Sequence, residues 1–369
     1  MLEQQQHFRR RRRTNHYQNH ATILNSISWY LLLSAIFFIW GAYNSLHSSP
    51  PGNHHDIKQS PLESRYSLAY YQSYGFFDDI STEEWQRLRN IAKSGMVSAS
   101  RTSFYPQYDG NDDDDQFWDA MPSNYFYGNS YDPNFSCRSE IRVGSGGSGG
   151  DGPKFVCDPF RIPRASTLNW KMLGGNDINT SSNERCLVYS IGCGGNFRFE
   201  MGLQELLGTN RCEIHVFDGT DYSATVPKQM DIHFHNWGLR RDRGPNTNDD
   251  FSPDENLAFP KSKSLDSVKY MSLTQTMKIL GHTDKVLDIL KIDCEGCEWK
   301  TFKDWLGERI VARQVLIEVH RSPAPFARNF FHKMKEHGYV IFHKEPNLAC
   351  PRGDCIEYGF LLLHPEFYD

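Results

Sequence analysis

Short apolar runs alternate with helix-like segments from about residue 154 to the C-terminus. The apolar runs predict buried strands at residues 187–191, 213–217, 232–235, 287–292 and 314–319, and an antiparallel pair at 340–343 and 357–364. The segments between them predict helices at residues 198–207, 273–280, 300–308 and 326–337. Strands that alternate with helices form a mostly parallel sheet covered on both faces. We therefore predict an α/β domain.

Three acidic residues follow the strand predicted at 287–292, namely Asp293, Glu295 and Glu298. In open α/β sheets, ligands bind at the carboxyl edge of the strands. Buried carboxylates are costly unless something uses or pairs them. We interpret this run as the rim of an active site, and the alternative is a strand followed by a solvated acidic turn.

In the N-terminal region, a run of charged residues precedes a long uncharged stretch. Residues 9–13 are five arginines, and no Lys, Arg, Asp or Glu follows until Asp56. Residues 23–43 reach the length of a membrane helix and carry Trp and Tyr near their ends. We predict a transmembrane signal anchor at 23–43, with residues 1–22 as a cytoplasmic basic tail. A cleaved signal peptide and a buried helix remain alternatives.

With this orientation, the chain beyond the anchor lies in the lumen of the secretory pathway, in the Golgi or the endoplasmic reticulum. Asn134 and Asn179 each begin an N-glycosylation tripeptide, which fits that compartment. Nine cysteines are more than a cytosolic enzyme needs, and an odd number leaves at least one without an intramolecular partner. The pairs that we expect first are Cys137–Cys157 and Cys350–Cys355, whereas Cys294 and Cys297 could form a redox motif or half a zinc site.

Residues 44–150 have the composition of a stem and linker. They contain Pro50-Pro51, an acidic run at 112–115 and a glycine-rich stretch at 144–152. One helix-like patch spans residues 81–93. The many aromatic residues argue against full disorder, so we expect part of the stem to pack on the α/β domain, which we assign to residues 151–369.

A glycine-rich turn follows the first predicted strand. It contains Gly192 and Gly194, and Asp218 ends the next strand. Such a turn lets the backbone approach a ligand, and an acidic residue at Asp218 can accept hydrogen bonds from ribose hydroxyls. These features predict a nucleoside-type cofactor. Phe197 stands where the dinucleotide fingerprint needs glycine, and S-adenosylmethionine needs no pyrophosphate cradle, so the pattern favours S-adenosylmethionine.

Five sequence blocks then occur in a characteristic order: CLVYSIGCGG, HVFDGT, NWGL, DILKIDCEGCEW and VLIEVH. In this order they resemble the FkbM-related methyltransferases, and look closest to a methyltransferase-like branch whose members are single-pass membrane proteins. The block DGPKFVCD is similar to the start of that branch's domain. The resemblance covers about residues 151–369 and is most specific in the DILKIDCEGCEW block.

The resemblance implies a class I, Rossmann-like methyltransferase fold that uses S-adenosylmethionine. By position, Gly192, Gly194 and Asp218 would contact the cofactor. Asn196 departs from the pattern, because many methyltransferases have a third glycine there. Trp237 could stack on the adenine, although packing in the core is the simpler expectation.

Methyl transfer to a hydroxyl needs a positioned acceptor and a base. Asp293, Glu295, Glu318 and His320 lie at the carboxyl ends of two predicted strands, and we predict that Asp293 and His320 handle the acceptor. His320 could instead be structural. Lys291 shares a strand face with Asp293, and its structural alternative is an ion pair with Glu318. No metal-ligand spacing is evident, so no metal is predicted.

The sequence therefore predicts an S-adenosylmethionine-dependent methyltransferase of the secretory pathway. We expect an O-methyltransferase, because some FkbM relatives act on sugar hydroxyls, and a glycan is the expected acceptor. The net charge of −5 gives no reason to expect a nucleic-acid partner. The alternative is a catalytically silent lumenal scaffold that has the methyltransferase fold.

Overall fold

A seven-stranded sheet lies at the centre of the fold. The computed structural model describes residues 67–101, 127, 130–144, 152–165, 185–241, 270–283, 285–307, 310–320, 324–350 and 355–368. The strands are β1 (Glu140–Val143), β2 (Lys154–Cys157), β3 (Cys186–Ile191), β4 (Cys212–Phe217), β5 (Ile232–His235), β6 (Gly238–Leu239), β7 (Tyr270–Met271), β8 (Leu287–Ile292), β9 (Ala312–His320), β10 (Tyr339–Pro346) and β11 (Cys355–Leu362). The helices are α1 (Leu68–Gln72), α2 (Thr82–Arg101), α3 (Ile162–Ala165), α4 (Arg198–Leu207), α5 (Leu273–Ile279), α6 (Glu298–Gly307) and α7 (Ala324–Glu336).

The strand order of the main sheet is β10-β11-β9-β8-β3-β4-β5. The five strands from β9 to β5 in that order are parallel to one another, and β11 runs antiparallel to both of its neighbours. The predicted parallel sheet with a terminal antiparallel pair is confirmed. All residues of β3, β8 and β9 are buried, which explains why these strands read as continuous apolar runs.

Two apolar layers cover the two faces of the sheet. One layer packs α5, α6 and α7 against the sheet through side chains such as Phe302, Trp305 and Phe330. The other contains α4 together with α1, α2 and the β1–β2 hairpin. Both faces are therefore protected from water, as a parallel sheet requires.

The second layer includes residues that the sequence assigned to the stem. Trp85 is fully buried, donates a hydrogen bond from Nε1 to Gln72 Oε1 (2.8 Å) and packs against Phe367 near the C-terminus. β1 pairs with β2, so a boundary at residue 151 falls inside a hairpin. The boundary is corrected accordingly: the described residues from 67 onward pack as part of the α/β domain. Part of the stem was expected to pack there, and its aromatic residues are the physical reason.

The predicted membrane anchor at 23–43 and the basic tail before it lie outside the described residues. Within the part of the chain that the structure describes, no helix combines the length and apolar character needed to cross a membrane.

All nine cysteines lie among the described residues, and eight of them form disulfides. The pairs are Cys137–Cys157, Cys186–Cys212, Cys294–Cys297 and Cys350–Cys355. The two pairs expected from the sequence are confirmed. Cys193 has no disulfide partner and is buried within the glycine-rich turn, between Gly192 and Gly194. Because Cys294 and Cys297 bond to each other, their thiolates are not available to form half a zinc site.

Asn134, one of the two predicted glycosylation acceptors, is engaged in packing. Its Oδ1 accepts a hydrogen bond from the backbone N–H of Ile341 (2.8 Å), and its Nδ2 donates to Tyr368 Oη (3.4 Å). A glycan on Nδ2 would disrupt this contact in the folded domain. The other predicted acceptor, Asn179, lies outside the described residues.

Candidate active site

The glycine-rich turn after β3 has a backbone that favours glycine. Gly192 and Gly194 have φ values of +77° and +54°. A Cβ atom on Gly192 would overlap the backbone carbonyl of Asp293, which follows β8, whereas a Cβ on Gly194 would meet no atom within 4 Å. Gly192 therefore allows the turn to pack against β8, and Gly194 leaves its backbone open to a ligand.

Asp218 holds this turn in place. Its Oδ2 accepts hydrogen bonds from the backbone N–H groups of Cys193 (3.0 Å) and Gly194 (2.9 Å), and its Oδ1 accepts from Thr220 N–H (2.8 Å). The structure thus brings together Gly192, Gly194 and Asp218, as predicted. A carboxylate offers about four acceptor positions, so three are used within the protein and about one remains for a ribose hydroxyl. Anchoring of the turn is a role of Asp218 that the sequence did not reveal.

An apolar cleft opens next to Asp218. It is lined by Ile191, Phe217, Trp237, Gly238, Leu239, Leu273 and Thr276. Trp237 donates from Nε1 to Thr276 Oγ1 (3.3 Å), which fixes its indole ring at the wall of the cleft. An apolar cleft beside a carboxylate and an open glycine backbone is the combination of groups that a nucleoside site uses.

A buried lysine contacts several carboxylates farther along the same edge of the sheet. Lys154 on β2 has a side chain only 2% exposed, and its Nζ lies 3.1 Å from Asp293 Oδ2 and 3.3 Å from Glu318 Oε2. It also donates a hydrogen bond to Glu357 Oε1 on β11. Three carboxylates from three different parts of the sheet therefore share one ammonium group.

His320 lies at the end of β9, on the other side of Asp293. Its Nε2 is 3.8 Å from Asp293 Oδ1, 3.7 Å from Glu318 Oε1 and 3.7 Å from Glu295 Oε2. Glu298 Oε1 accepts hydrogen bonds from both Nδ1 (3.0 Å) and the backbone N–H (2.9 Å) of His320. Asp293 and His320, predicted to act together, are thus adjacent, and Glu298 fixes the orientation of the imidazole.

Lys291 has a structural role, although its partner is not Glu318. Its Nζ donates to the backbone carbonyl of Gly192 (3.0 Å) and lies 4.0 Å from Asp293 Oδ2. Glu318 instead contacts Lys154 and accepts a hydrogen bond from Asn347 Nδ2 (2.8 Å). The ion pair with Glu318, which was one alternative for Lys291, is therefore formed by Lys154 on β2.

A family model described as a methyltransferase domain matches residues 67–362, which is most of the chain. The chain belongs to this methyltransferase family. The match begins near the first described residue and so agrees with the packing of α1 and α2 on the domain. S-adenosylmethionine, the predicted cofactor, is the methyl donor that the family uses.

Individual relatives are more distant. Probable methyltransferase-like protein 24 of Homo sapiens is 23% identical over 185 residues, which cover 46% of this chain and 45% of that protein. The chain thus aligns with less than half the length of this relative. The narrower FkbM-related assignment and the membrane-protein branch stay predictions.

Among solved structures, fibrillarin pre-rRNA processing protein from Methanococcus jannaschii has 6% identity and a TM-score of 0.31, over 63% of this chain and 84% of its own. Fibrillarin from Aeropyrum pernix, in complex with S-adenosyl-L-methionine, has 12% identity and a TM-score of 0.31, over 60% of this chain and 88% of its own. These scores are too low to support conclusions about function.

The electrostatics of this methyltransferase site separate its acidic groups. Burial opposes the charged form of Asp293, but Lys154, Lys291 and His320 outweigh it and lower the pKa of Asp293 to about 2. Burial, together with the nearby carboxylates of Glu318 and Asp293, raises the pKa of Glu357 to about 8, although Lys154 opposes this shift. Asp293 is therefore a carboxylate at neutral pH, whereas Glu357 can hold a proton near neutral pH.

His320 is positively charged at neutral pH. Burial disfavours the imidazolium, but the hydrogen bond to Glu298 and the carboxylates of Asp293 and Glu318 raise the pKa of His320 to about 9. An imidazolium donates hydrogen bonds and cannot accept a proton. Within the predicted pair, His320 is thus suited to orient an oxygen atom rather than to act as its base.

Sequence reasoning missed Lys154 and Glu357 as site residues. Lys154 lies in the DGPKFVCD block, which follows a glycine-rich stretch. The sequence therefore did not predict that this block contacts the sheet. Glu357 begins a strand that was predicted only as a terminal antiparallel strand. The available signal was one charged residue within each apolar strand, since buried charges require partners.

Proposed function

We propose that this chain is an S-adenosylmethionine-dependent methyltransferase of the secretory pathway that O-methylates a hydroxyl acceptor, such as a glycan. The observation that carries the proposal is the placement of two sites along one sheet edge. The turn held by Asp218 and the apolar cleft lie beside the charged cluster around Asp293 and His320. A cofactor and an acceptor can therefore meet at the carboxyl ends of β3 and β8.

The residues around the cleft would hold the cofactor. Phe217, Trp237 and Leu273 would enclose the adenine, Asp218 would accept a ribose hydroxyl, and the open backbone at Gly194 would allow close approach of the remaining part. When bound, S-adenosylmethionine supplies a methyl group activated by its sulfonium.

The charged cluster would handle the acceptor. Asp293 is 15% exposed, and its carboxylate can accept the hydrogen bond of an acceptor hydroxyl while His320 donates to the same oxygen. As the oxygen gains the methyl group, its O–H bond breaks and the proton must be taken up. Asp293, which is ionised at neutral pH and accepts the hydrogen bond of the hydroxyl, would take that proton and release it to solvent. Lys154 contacts Asp293 and keeps it ionised between turnovers.

The chemistry of the rim supports the proposed acceptor class. Glu295 is 81% exposed and extends the row of hydrogen-bond acceptors from Asp293 into solvent. Such a rim suits a molecule with several hydroxyl groups, which favours a glycan over an apolar acceptor.

The compartment is inferred from charge and cysteine chemistry. The arginine run before residues 23–43 favours a single-pass anchor with a cytoplasmic N-terminus and a lumenal domain, in the Golgi or the endoplasmic reticulum. Four disulfides support an oxidising compartment.

Calorimetric titration of the full-length chain, in mild detergent, with S-adenosylmethionine tests the cofactor assignment. We expect micromolar binding that is lost in Asp218→Ala. Asp221→Ala is the matched control, because Asp221 lies on the same loop and accepts its hydrogen bond from Ser223 N–H (2.9 Å), within that loop. Thermal unfolding of both variants would show whether the loss of binding reflects a local change. Folded wild-type protein that does not bind the cofactor would instead support the catalytically silent scaffold.

Acceptor chemistry is tested separately by transfer of a labelled methyl group to glycans. Asp293→Asn and His320→Gln should lower turnover while leaving cofactor binding intact, because both residues lie outside the cleft. Turnover on amine acceptors but not on hydroxyl acceptors would contradict the O-methyl assignment.

A further inference from the structure

A cluster of histidines lies on one face of the sheet, outside the cofactor cleft and the charged cluster. Glu213 and His215 lie two residues apart on β4, and His233 is the neighbour of His215 on β5. Residues two apart on a strand point to the same face. His282 follows α5, which covers this face, and lies 5.1 Å from His215 between ring centroids. Side chains from two separate parts of the chain thus meet here.

Three of these side chains converge on one point. Glu213 Oε1 lies 2.9 Å from His215 Nε2 and 3.4 Å from His282 Nε2. The three ligand atoms all lie within 4.8 Å of one another. The other three such groupings among the described residues each include a disulfide-bonded cysteine, whose sulfur is not a thiolate.

The second nitrogen of each imidazole already has a partner. His215 Nδ1 lies 2.8 Å from His235 Nε2, and His282 Nδ1 lies 2.7 Å from Tyr189 Oη. Metal-binding histidines typically use their other ring nitrogen in this way, which fixes the tautomer and the ring orientation. When both Nδ1 atoms carry the ring proton, both Nε2 atoms can present a lone pair toward Glu213, and a bound cation would replace the direct contact between His215 Nε2 and Glu213 Oε1 (2.9 Å).

We propose that Glu213, His215 and His282 bind a zinc ion. Tetrahedral zinc with bonds of about 2.0–2.1 Å separates neighbouring ligand atoms by about 3.3 Å, close to the two distances found here. Two histidines and one glutamate form a known zinc ligand set that leaves a fourth position for water. Glu213 is 27% exposed, so solvent can reach that position.

The site would join β4 to the segment after α5, behind the wall of the cofactor cleft. The His235 ring lies 4.9 Å from Phe217 and 4.6 Å from Trp237, which both line the cleft. The zinc ion would thus have a structural role, independent of whether the chain methylates an acceptor.

The test is calorimetric titration of zinc chloride into the metal-free, full-length chain without a histidine tag. We expect one zinc ion per chain at this site, with affinity reduced at least about tenfold in Glu213→Gln and in His282→Gln. Tyr189→Phe should weaken binding by about tenfold, because it removes an orienting partner without changing volume. His332→Gln is the matched control, since His332 forms an exposed pair with Glu336 on α7 (3.1 Å) and should leave affinity unchanged.

Cobalt substitution provides a second measurement that does not depend on stability. A tetrahedral cobalt site gives intense visible absorption, which wild-type protein should show and folded Glu213→Gln protein should lack. Absence of zinc binding by folded wild-type protein would overturn the proposal. Binding that is equally strong in Glu213→Gln and His282→Gln would overturn it as well, because the metal would then lie elsewhere.

Discussion

Lys154→Met should strongly destabilise the domain, because it removes the buried cation shared by three acidic side chains. Lys154 Nζ lies 3.1 Å from Asp293 and 3.3 Å from Glu318, and also contacts Glu357. Methionine preserves most of the side-chain volume but leaves these carboxylates facing one another. Removing one partner of a buried ion pair costs about 3–5 kcal/mol of unfolding free energy. We expect a loss in that range near neutral pH.

The loss should depend on pH in a defined direction. The pKa of Lys154 is raised, since its three carboxylates outweigh the effect of burial, so the lysine stays charged throughout the accessible range. The pKa of Glu357 is about 8 even beside the lysine, and removal of the lysine should raise it further. A carboxyl group with a raised pKa in the folded state contributes stability at low pH that is lost as pH rises through that pKa. Below about pH 8, Glu357 is protonated with or without the lysine, so its share of the cost of Lys154→Met should develop as pH rises above about 8.

Urea unfolding with the disulfides intact measures this cost at each pH. Lys333→Met is the control, because Lys333 pairs with Glu336 on an exposed helix surface and should change stability by less than about 0.5 kcal/mol. Glu357→Gln combined with Lys154→Met should recover part of the loss, since it removes one unpaired carboxylate. A cost of Lys154→Met no larger than that of the control, or one that does not change with pH, would contradict this role of Lys154.

Three further predictions address other parts of the domain. His320→Gln should cost about 3 kcal/mol in urea unfolding below about pH 6.5, and the cost should disappear above about pH 9. Neighbouring carboxylates overcome burial and raise the pKa of His320 to about 9, and this contribution to stability is lost as the imidazolium deprotonates. A cost that is independent of pH would contradict this prediction. Gly192→Ala should prevent stable folding, since its Cβ would overlap a backbone carbonyl. Gly194→Ala should cost only about 1–2 kcal/mol of backbone strain, because its Cβ would meet no atom within 4 Å. Thermal unfolding distinguishes the two variants, and equal costs would contradict the different roles of the two glycines. Replacing Cys137 and Cys157 together by alanine should cost about 3 kcal/mol, and peptide mapping under non-reducing conditions should find this pair linked in the wild type.

The central sheet could be predicted from the sequence because its strands are continuous apolar runs. The strand predicted at 287–292 matches β8 residue for residue, and the strands of the main sheet occur in the predicted order along the chain from β3 onward. The β1–β2 hairpin and the short β6–β7 pair were missed. Each of these strands has at most four residues, so periodicity gives little signal.

The candidate site was predicted in part. Asp293 and His320 were predicted because each follows a predicted apolar strand. The carboxyl ends of parallel strands meet at one edge of the sheet, so these two positions lie close together. Lys154 and Glu357 were missed because they contact each other across 203 residues of sequence. No local pattern encodes that distance, and the charge state of His320 likewise depends on Glu298, Asp293 and Glu318 jointly.

The position of Lys154 links the segment before the sheet to the chemistry at its edge. Lys154 begins β2, which pairs with β1, and Cys157 at the end of β2 bonds to Cys137. The hairpin in turn packs in the same apolar layer as α1 and α2. Each of these contacts restrains β2, and a restrained backbone limits where the ammonium group can lie. Because Asp293 owes its low pKa first to Lys154, the residues before the sheet help to set the charge of a predicted catalytic group. The segment first interpreted as a stem is thus part of the structure that keeps Asp293 ionised, and it cannot be treated as a spacer.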